Sequence, residues 1–325
     1  VYCNAGIYPD KIQSYNNARL IYMPINASGF KGIIYDIITY IHALIKSDII
    51  LYLSPVGSGF ITPLKKIFRK KVIINHGGLN EWERDKLSPL KQRWAKFNHR
   101  VASKFADINI VDNYIYKQSL KDNFNANSII IKYGGDHVSN ETVENKEFSE
   151  KYNFVNSKYA VSVSRAQIDN NLHLVLQAFE TFNKFKLVLI SNWNVSAYGK
   201  ALWEKYQNNT NIILLDAIYN QQELNYIRGN AWIYIHTHSR CGTAPSLIEA
   251  MCLNLPVISF DVKPNRETTA NNAIYFDSPE SLFHTLESLT EKNLNENRAN
   301  MIALAKQEFQ WSKISDEYAQ LFDDL

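Results

Sequence analysis

The chain has 325 residues, of which 46% are hydrophobic and 21% are charged, and its formal net charge is +3. This composition is typical of a globular protein of about two domains, and it excludes long disordered regions. Three cysteines without a CxxC spacing exclude a disulfide framework and a four-cysteine zinc site. The longest apolar stretch, residues 33–45, is interrupted by polar side chains, so we expect no transmembrane helix, no signal peptide and a soluble cytoplasmic protein.

The first half of the chain alternates short β-rich runs with helical patterns, which is typical of βαβ units and parallel sheets. Each predicted strand is a near-continuous apolar run, as a sheet covered on both faces requires. The predicted strands cover residues 1–4, 20–24, 48–53, 71–75, 107–111 and 128–132. The predicted helices cover residues 32–46, 59–69, 86–105 and 113–123.

The second half repeats this alternation after a polar, acidic segment with few apolar anchors. We therefore predict an N-terminal domain over 1–140, a linker over 141–157 and a C-terminal domain over 158–325, with an α/β fold of two doubly wound, Rossmann-like domains. The predicted strands of the second domain cover residues 159–164, 186–191, 211–215, 231–236, 256–260 and 273–276. Its predicted helices lie near residues 170–183, 197–207, 220–229, 244–253, 279–290, 293–309 and 312–324.

Basic charge is concentrated in one segment of the first half. Residues 61–110 carry 12 basic and 4 acidic side chains, with tryptophan and phenylalanine among them. Such a segment can dock on an anionic membrane surface, where each Lys or Arg contributes about 1 kcal/mol, or it can form a solvated helix face. The sequence leaves both interpretations open for residues 61–105. The same charges could bind nucleic acid, but no nucleic-acid-binding motif accompanies them, so we expect no nucleic-acid partner.

Ligands of open α/β sheets bind outside the carboxyl ends of the strands, so residues that directly follow predicted strands are the candidate site residues. Gly57-Ser58-Gly59 follows one such strand. A dinucleotide-binding motif needs a third glycine and an acidic residue that ends a second strand about 20 positions further on, and both features are missing here. We interpret the segment as a tight turn, which argues against an NAD-dependent oxidoreductase.

Two further strand ends carry groups suited to a sugar or a phosphate. Gly77 and Gly78 lack side chains, so either ligand can approach their backbone, and we expect the imidazole of His76 to stand at the strand tip. A turn with an incidental surface histidine fits His76 equally well. Arg165 ends another predicted strand, where its guanidinium can clamp a diphosphate or form a surface salt bridge.

The most informative segment runs from Cys241 to Met251, between a predicted strand and a predicted helix. Gly242 and Thr243 form the turn, and Thr243 is a candidate N-cap. The N–H groups at the helix start make an anion site suited to a nucleotide diphosphate. Glu249, in the second turn, can accept hydrogen bonds from two ribose hydroxyls, or it is an ordinary exposed helix glutamate.

Five segments together carry a resemblance to a known family, and they are Gly78–Lys86, Ser164–Arg165, Asn170–Phe179, Gly242–Met251 and Leu255–Ile258. On these segments the chain resembles the retaining group 1 (family 4) glycosyltransferases with the GT-B fold. It is most similar to the bacterial polysaccharide rhamnosyltransferase-like subset, which has the Gly-Thr-x-Pro-Ser-Leu-x-Glu-Ala-Met form. The likeness spans nearly the whole chain.

The resemblance implies two Rossmann-like domains that face each other across a cleft, with the C-terminal helices crossing back to the first domain. It implies catalytic roles for Arg165, at the donor diphosphate, and for His76, at the donor sugar. The implied ligands of the donor nucleotide and diphosphate are Arg165, Asn170, Gly242, Thr243, Ser246 and Glu249. The implied sugar or acceptor side consists of His76, Gly77, Gly78, Glu81 and Arg84.

The function implied by the resemblance is transfer of a sugar, with rhamnose favoured, from a nucleotide-diphosphate donor. The implied acceptor is a glycan or a polyprenyl-diphosphate-linked glycan of bacterial surface polysaccharide synthesis, met at the inner face of the plasma membrane. No cofactor and no metal are implied. Two rivals stay open: a catalytically silent nucleotide-sugar-binding protein, and a nucleotide-sugar epimerase with a GT-B-like fold.

The chain departs from the family pattern at three places. Asn170 and Asn171 stand where relatives carry a lysine, which removes one cation from the diphosphate site. Cys241 replaces the first glutamate of the paired-glutamate motif that ends at Glu249. The first strand and glycine-rich loop of the family are expected upstream of Val1. The second and third departures favour the silent-binding rival.

Overall fold

Two structural units make up the chain. Unit 1 consists of Val1–Ile130 together with Leu321–Leu325, and unit 2 consists of Ile131–Gln320. The computed structural model describes residues 1–8, 10–27, 29–84, 87–138 and 146–325. Residues 141–145 of the predicted linker lie outside the described residues.

Unit 1 alternates strands and helices along the chain. Its strands are β1 (Tyr2–Asn4), β2 (Ser14–Tyr15), β3 (Ala18–Arg19), β4 (Ile21–Met23), β5 (Ile49–Leu53), β6 (Lys71–Asn75), β7 (Ile108–Val111) and β8 (Ile129–Ile130). Its helices are α1 (Phe30–Lys46), α2 (Lys65–Phe68), α3 (Pro89–Phe105) and α4 (Tyr114–Phe124). Strands β5, β6, β7 and β8 form a parallel sheet in chain order, and β1 pairs with β4 in parallel. The antiparallel hairpin of β2 and β3 was not predicted, because two-residue strands show no period.

Two helices of unit 1 start later than predicted, and proline explains both shifts. The predicted helix over 59–69 begins as a 3₁₀ helix, Gly59–Leu64, before the short α2. Pro63 lies inside the 3₁₀ helix and has no N–H to donate to an α-helical bond. Helix α3 begins at Pro89, which suits the first helical turn because the N–H that it lacks has no partner there.

Unit 2 repeats the alternation with longer and more regular elements. Its strands are β9 (Tyr159–Val163), β10 (Lys186–Ser191), β11 (Ile212–Asp216), β12 (Ile233–His236), β13 (Val257–Phe260) and β14 (Ile274–Phe276). Its helices are α5 (Lys146–Lys151), α6 (Leu172–Thr181), α7 (Ala197–Tyr206), α8 (Gln221–Gly229), α9 (Pro245–Cys252), α10 (Lys263–Thr268), α11 (Pro279–Glu287), α12 (Glu291–Glu308) and α13 (Trp311–Asp323, whose last residues belong to unit 1). The predicted strands and helices are confirmed here, and the short α5 and α10 are additions.

The sheet of unit 2 is parallel throughout, with the order β11-β10-β9-β12-β13-β14. The chain winds outward from β9 to β11, returns to place β12 beside β9, and then winds outward on the other side to β14. This arrangement is a doubly wound Rossmann-like sheet, and its switch point lies between β9 and β12. The α/β fold with parallel sheets is confirmed.

The core of unit 2 covers both faces of this sheet. Along β10, Leu187 and Leu189 join one buried cluster, whereas Val188 and Ile190 join another, and all four are at most 2% exposed. Successive side chains of a strand point to opposite faces, so this run of apolar residues is the sequence signature of a sheet covered by helices on both sides.

Part of the segment predicted as a linker has regular structure. Residues 146–151 form α5, and a 3₁₀ helix follows at Asn153–Asn156. Tyr152 between them is buried in a core cluster of unit 2, and its hydroxyl donates to Glu223 Oε1 at 2.6 Å. Phe148 and Phe154 pack against the same cluster, so three aromatic side chains attach the segment to unit 2.

Candidate active site

Two loops meet at the switch point of the unit 2 sheet, one after β9 and one after β12. Thr237 Oγ1 donates to the carbonyl of Asn170 at 2.5 Å, and Asn171 Nδ2 donates to the carbonyl of Thr237 at 3.1 Å. The backbone N–H and the hydroxyl of Ser239 both donate to the carbonyl of Asp169. These bonds hold the two loops together at the edge where an open α/β sheet binds its ligand.

Arg165 lies on the first of these loops, directly after β9. Its side chain is exposed, and in the part of the chain that the structure describes, no carboxylate lies within ion-pairing distance of its guanidinium. The surface salt bridge considered from the sequence is therefore not seen among these residues. An unpaired guanidinium at a strand tip is available to an anionic ligand.

Asn170 lies on the same loop as Arg165. Its side chain is buried, and its Nδ2 donates to the carbonyl of Arg165 at 2.8 Å. In this geometry one amide hydrogen of Asn170 supports the loop that carries Arg165.

Helix α9 begins at Pro245, and its N-cap is Ala244, which has no side-chain hydrogen bond. Thr243 is buried one position earlier, so its prediction as the N-cap is wrong. The Leu247 N–H donates to the Ala244 carbonyl at 3.0 Å, which tightens the first turn. Buried Gly242 and half-buried Ser246 flank the positive end of the helix dipole, where an anion is stabilised.

Glu249 is not an ordinary exposed glutamate, since its side chain is 16% exposed and both of its oxygens have partners. Arg228 Nη1 donates to Oε2, and His137 Nε2 lies 3.2 Å from Oε1. Arg228 is fully buried on α8, and its Nη2 also donates to Asn225 Oδ1 at 3.2 Å. The carboxylate is thus held in a defined orientation beside the start of α9.

The sequence prediction missed a polar chain next to these loops. His238 Nε2 lies 2.8 Å from Ser164 Oγ, and His238 Nδ1 lies 3.2 Å from Cys241 Sγ. The ring of His236, which is 1% exposed, packs 4.5 Å from the ring of His238. A usable sequence signal existed, because the two histidines stand at alternate positions at the end of a predicted strand.

The interior under these loops carries two neutral polar rings at physiological pH. Burial raises the pKa of Tyr234 to about 12, while Ser246 and Arg228 act in the opposite direction. Burial, together with the nearby His238, holds the pKa of His236 well below its usual range. Neither ring adds a negative charge that would oppose an anion at Arg165.

In unit 1, His76 is fully buried, which corrects the expectation of an imidazole at an open strand tip. Its Nδ1 lies 3.1 Å from His99 Nδ1, and its Nε2 lies 2.9 Å from Asn109 Oδ1. Burial lowers the pKa of His76 to about 4, so the ring is neutral. With both nitrogens engaged, His76 has no hydrogen-bonding group left for a sugar.

The other predicted residues of unit 1 do come together at the carboxyl end of β6. Glu81 Oε2 accepts from Ser54 Oγ at 2.9 Å, and Glu81 Oε1 lies 3.8 Å from Arg84 Nη2. Gly77 has φ +68°, a left-handed value that favours glycine, and a Cβ on Gly78 would lie 2.8 Å from Arg84 Nη2. The two glycines therefore let the backbone pass close to a polar cluster of Glu81 and Arg84.

The sequence matches the family of glycosyl transferases group 1 over residues 144–308, just over half of the chain. The chain belongs to the group 1 glycosyltransferases. Residues 3–136 match a domain of unknown function, DUF1972. Comparison with curated proteins gives no match.

Solved structures share the GT-B glycosyltransferase fold. Sucrose-phosphate synthase from Thermosynechococcus elongatus aligns with a TM-score of 0.80 at 14% identity, over 97% of this chain and 86% of that one. Anabaena HepE, crystallised with UDP-glucose, aligns with a TM-score of 0.71 at 14% identity, over 94% and 86% of the two chains. The α,α-trehalose 6-phosphate synthase from Burkholderia multivorans aligns at 0.72 and 13% identity, over 90% and 74%.

None of the described helices combines the length and apolar character needed to cross a bilayer. Within the described ranges, no three His, Cys, Asp or Glu side chains lie together as a metal-binding group.

Proposed function

We propose that this glycosyltransferase moves a sugar from a nucleotide-diphosphate donor to a hydroxyl of a glycan acceptor, with the donor bound at the switch point of unit 2. The observation that carries the proposal is the exposed guanidinium of Arg165, which has no carboxylate partner among the described residues. It lies on the loop after β9, which is hydrogen-bonded to the loop that leads from β12 towards α9. Two sources of positive potential at one sheet edge suit a diphosphate.

The chemical step requires stabilisation of the charge that develops on the leaving diphosphate. The acceptor oxygen bonds to the anomeric carbon while the bond from that carbon to the diphosphate oxygen breaks, and the hydroxyl proton passes to the released diphosphate. Arg165 and the dipole of α9 present positive potential that needs no rearrangement during this step, and such preorganised electrostatic stabilisation is usually the largest catalytic contribution. The proposed reaction needs no metal and no cofactor.

Glu249 supports the nucleoside part of the proposal. A carboxylate would repel a phosphate, but it accepts hydrogen bonds from ribose hydroxyls. Its place in the second turn of α9 suits a ligand whose diphosphate lies at the helix start.

Finer features of the reaction are proposals that rest on the sequence resemblance. These are retention of configuration by front-face attack, membership of family 4, a rhamnosyl donor and a role in bacterial surface polysaccharide synthesis. We propose that the acceptor, a glycan or a polyprenyl-diphosphate-linked glycan, binds unit 1 near Gly77, Gly78, Glu81 and Arg84. Their clustering at a strand end supports this assignment.

We also propose that the enzyme associates with an anionic membrane surface through α3, within the basic segment 61–105. Leu90, Trp94 and Phe97 are 78%, 40% and 49% exposed, and their i, i+4, i+7 spacing places them on one face of the helix. Arg93 and Arg100 are exposed and lie on the adjacent face of the helix. A helix with neighbouring apolar and basic faces suits the interface of an anionic bilayer, which a purely solvated helix would not need.

A binding panel tests the central proposal. Thermal shifts are measured with UDP, GDP, ADP, dTDP and their sugar derivatives, for the wild type and for Arg165→Ala and Glu249→Ala. A ligand at a hundredfold excess over its Kd stabilises the fold by about 2.7 kcal/mol. We expect a shift with one nucleotide that both variants lose, followed by sugar transfer to an acceptor.

The panel also separates the alternatives. Binding without transfer or donor hydrolysis would favour the silent nucleotide-sugar-binding protein. Conversion of the sugar without its release from the nucleotide would favour the epimerase. Flat curves for every nucleotide would contradict the proposed donor site.

A further inference from the structure

Both oxygens of the Glu249 carboxylate are oriented by side chains of unit 2, Arg228 at Oε2 and His137 at Oε1. A carboxylate offers about four acceptor positions, two on each oxygen. Among the described residues, one position on each oxygen is therefore left, which matches the two hydroxyls of a ribose. Arg228 and His137 together determine where those two positions point.

The second nitrogen of His137 identifies its tautomer. Trp311 Nε1 donates to His137 Nδ1 at 3.2 Å. An indole N–H can only donate, so Nδ1 acts as the acceptor and the imidazole proton lies on Nε2. The Nε2–H group is 3.2 Å from Glu249 Oε1, and it donates a hydrogen bond to that oxygen.

The indole is held in place by the segment that precedes His137. A Cβ on Gly134 would lie 2.5 Å from the ring of Trp311, and a Cβ on Gly135 would lie 3.0 Å from the backbone of Ile248 on α9. The backbone N–H of Trp311 donates to Asp136 Oδ1 at 2.8 Å. The two glycines thus let this segment approach both α9 and the start of α13. As a result, the indole of Trp311, the imidazole of His137 and the carboxylate of Glu249 form one hydrogen-bonded chain.

We propose that His137, held by Trp311, is a positioning residue for Glu249 in donor nucleotide binding. The inference rests on the proposed function, and it adds two residues that no sequence motif indicated. A glutamate's terminal torsion is broad, so a carboxylate fixed only by Arg228 can turn its remaining acceptor positions away from the ribose. His137 contacts the carboxylate and not the reacting atoms, so its effect falls on nucleoside binding.

The test compares nucleoside diphosphates with inorganic pyrophosphate, which has no ribose. Calorimetric Kd values are measured for UDP, GDP, ADP, dTDP and pyrophosphate with the full chain. His137→Phe removes the donor to Glu249. Trp311→Phe removes the pyrrole ring with its N–H and keeps a benzene ring beside Gly134. We expect His137→Phe to lower the affinity about tenfold for the nucleotide that the wild type binds. This is the effect of losing one hydrogen bond to a charged group. Pyrophosphate affinity should stay unchanged.

Two further variants separate positioning from general damage. His137→Gln keeps an N–H donor and should restore nucleotide affinity towards the wild-type value. The double variant of His137→Phe and Trp311→Phe should bind no more weakly than His137→Phe alone, because Trp311 acts through His137. His284→Gln on the exposed face of α11 is the matched control, and it should change neither affinity.

The outcomes distinguish this inference from the function on which it rests. Unchanged nucleotide affinity in His137→Phe, beside a clear loss in Glu249→Gln, would overturn the positioning role and leave the donor site intact. Parallel losses for nucleotide and pyrophosphate would also overturn it. A wild-type protein that binds none of the nucleotides would overturn the proposed function itself. If His137→Phe fails to fold, Trp311→Phe and His137→Gln decide the question in the same assay.

Discussion

The guanidinium of Arg228 donates to Glu249 Oε2 although only 1% of the Arg228 side chain is exposed. A full positive charge is thus held inside unit 2 by one carboxylate on the neighbouring α9. When one partner of a buried ion pair is removed, the other charge stays buried without compensation. The pair therefore links the stability of unit 2 to the side chain that we assign to the ribose.

Arg228→Met should lower the free energy of unfolding by about 3 kcal/mol, because it leaves Glu249 beside an apolar side chain. Arg266→Met is the matched control, since Arg266 pairs with Asp261 at 2.5 Å but both side chains are more than a third exposed. An exposed pair contributes about 1 kcal/mol or less. Urea denaturation measures both values, and equal small losses would contradict a structural role for the buried pair.

Arg165→Ala should lower kcat/KM at least about 100-fold, the usual cost of removing one preorganised donor from a developing anion. Arg165→Lys keeps the charge but loses the planar guanidinium that binds a diphosphate through two hydrogen bonds. The activity of this variant should therefore lie between those of the wild type and Arg165→Ala. Activity is measured with the nucleotide sugar identified by the binding panel. Lys200→Ala, exposed on α7, is the control. A change of only a few-fold in Arg165→Ala would argue against the assignment.

The combined Arg93→Gln and Arg100→Gln substitutions should weaken binding to anionic vesicles by about 2 kcal/mol, from about 1 kcal/mol per charge. Leu90→Gln with Phe97→Gln should weaken it further by removing the exposed apolar face of α3. Co-sedimentation is measured with phosphatidylglycerol-containing and with neutral phosphatidylcholine vesicles. Val195→Gln, 76% exposed in unit 2, is the apolar control. Equal binding to both vesicle types by the wild type would rule out the membrane proposal.

Unit 1 should lose stability as the pH falls from 7 to 5, because its buried histidines resist protonation. Burial lowers the pKa of His76 to about 4 in the folded chain, from an ordinary value of 6.5, and it holds the pKa of the neighbouring His99 well below its usual range. The unfolded chain therefore binds more protons between pH 6.5 and pH 4, so stability decreases as the pH is lowered through that range. His76 contributes about 2 kcal/mol of this loss at pH 5. His76→Gln, compared with the exposed His284→Gln, should reduce this slope in urea denaturation at the two pH values. An unchanged slope would show that His76 does not carry the effect.

The fold and much of the proposed donor site follow from local sequence patterns. Apolar runs separated by segments with helical periodicity predict the strands. A sheet covered by helices on both faces needs apolar side chains at successive positions of each strand. Arg165 could be located because it directly follows a predicted strand, and the Gly242–Pro245 turn because it lies between a predicted strand and a predicted helix. The order of the strands and the family segments then indicate the nucleotide-binding edge.

Side-chain direction and long-range partners were decided only by the tertiary structure. The backbone of His76 continues the β6 pairing by donating to the Ile110 carbonyl at 3.0 Å, so its ring enters the core beside His99 and does not leave the strand tip. Glu249 meets Arg228 from α8 and His137 from another segment, and no local period connects these three positions. A sequence pattern reports the environment of a residue's own element, whereas a hydrogen-bond partner depends on how distant elements pack against each other.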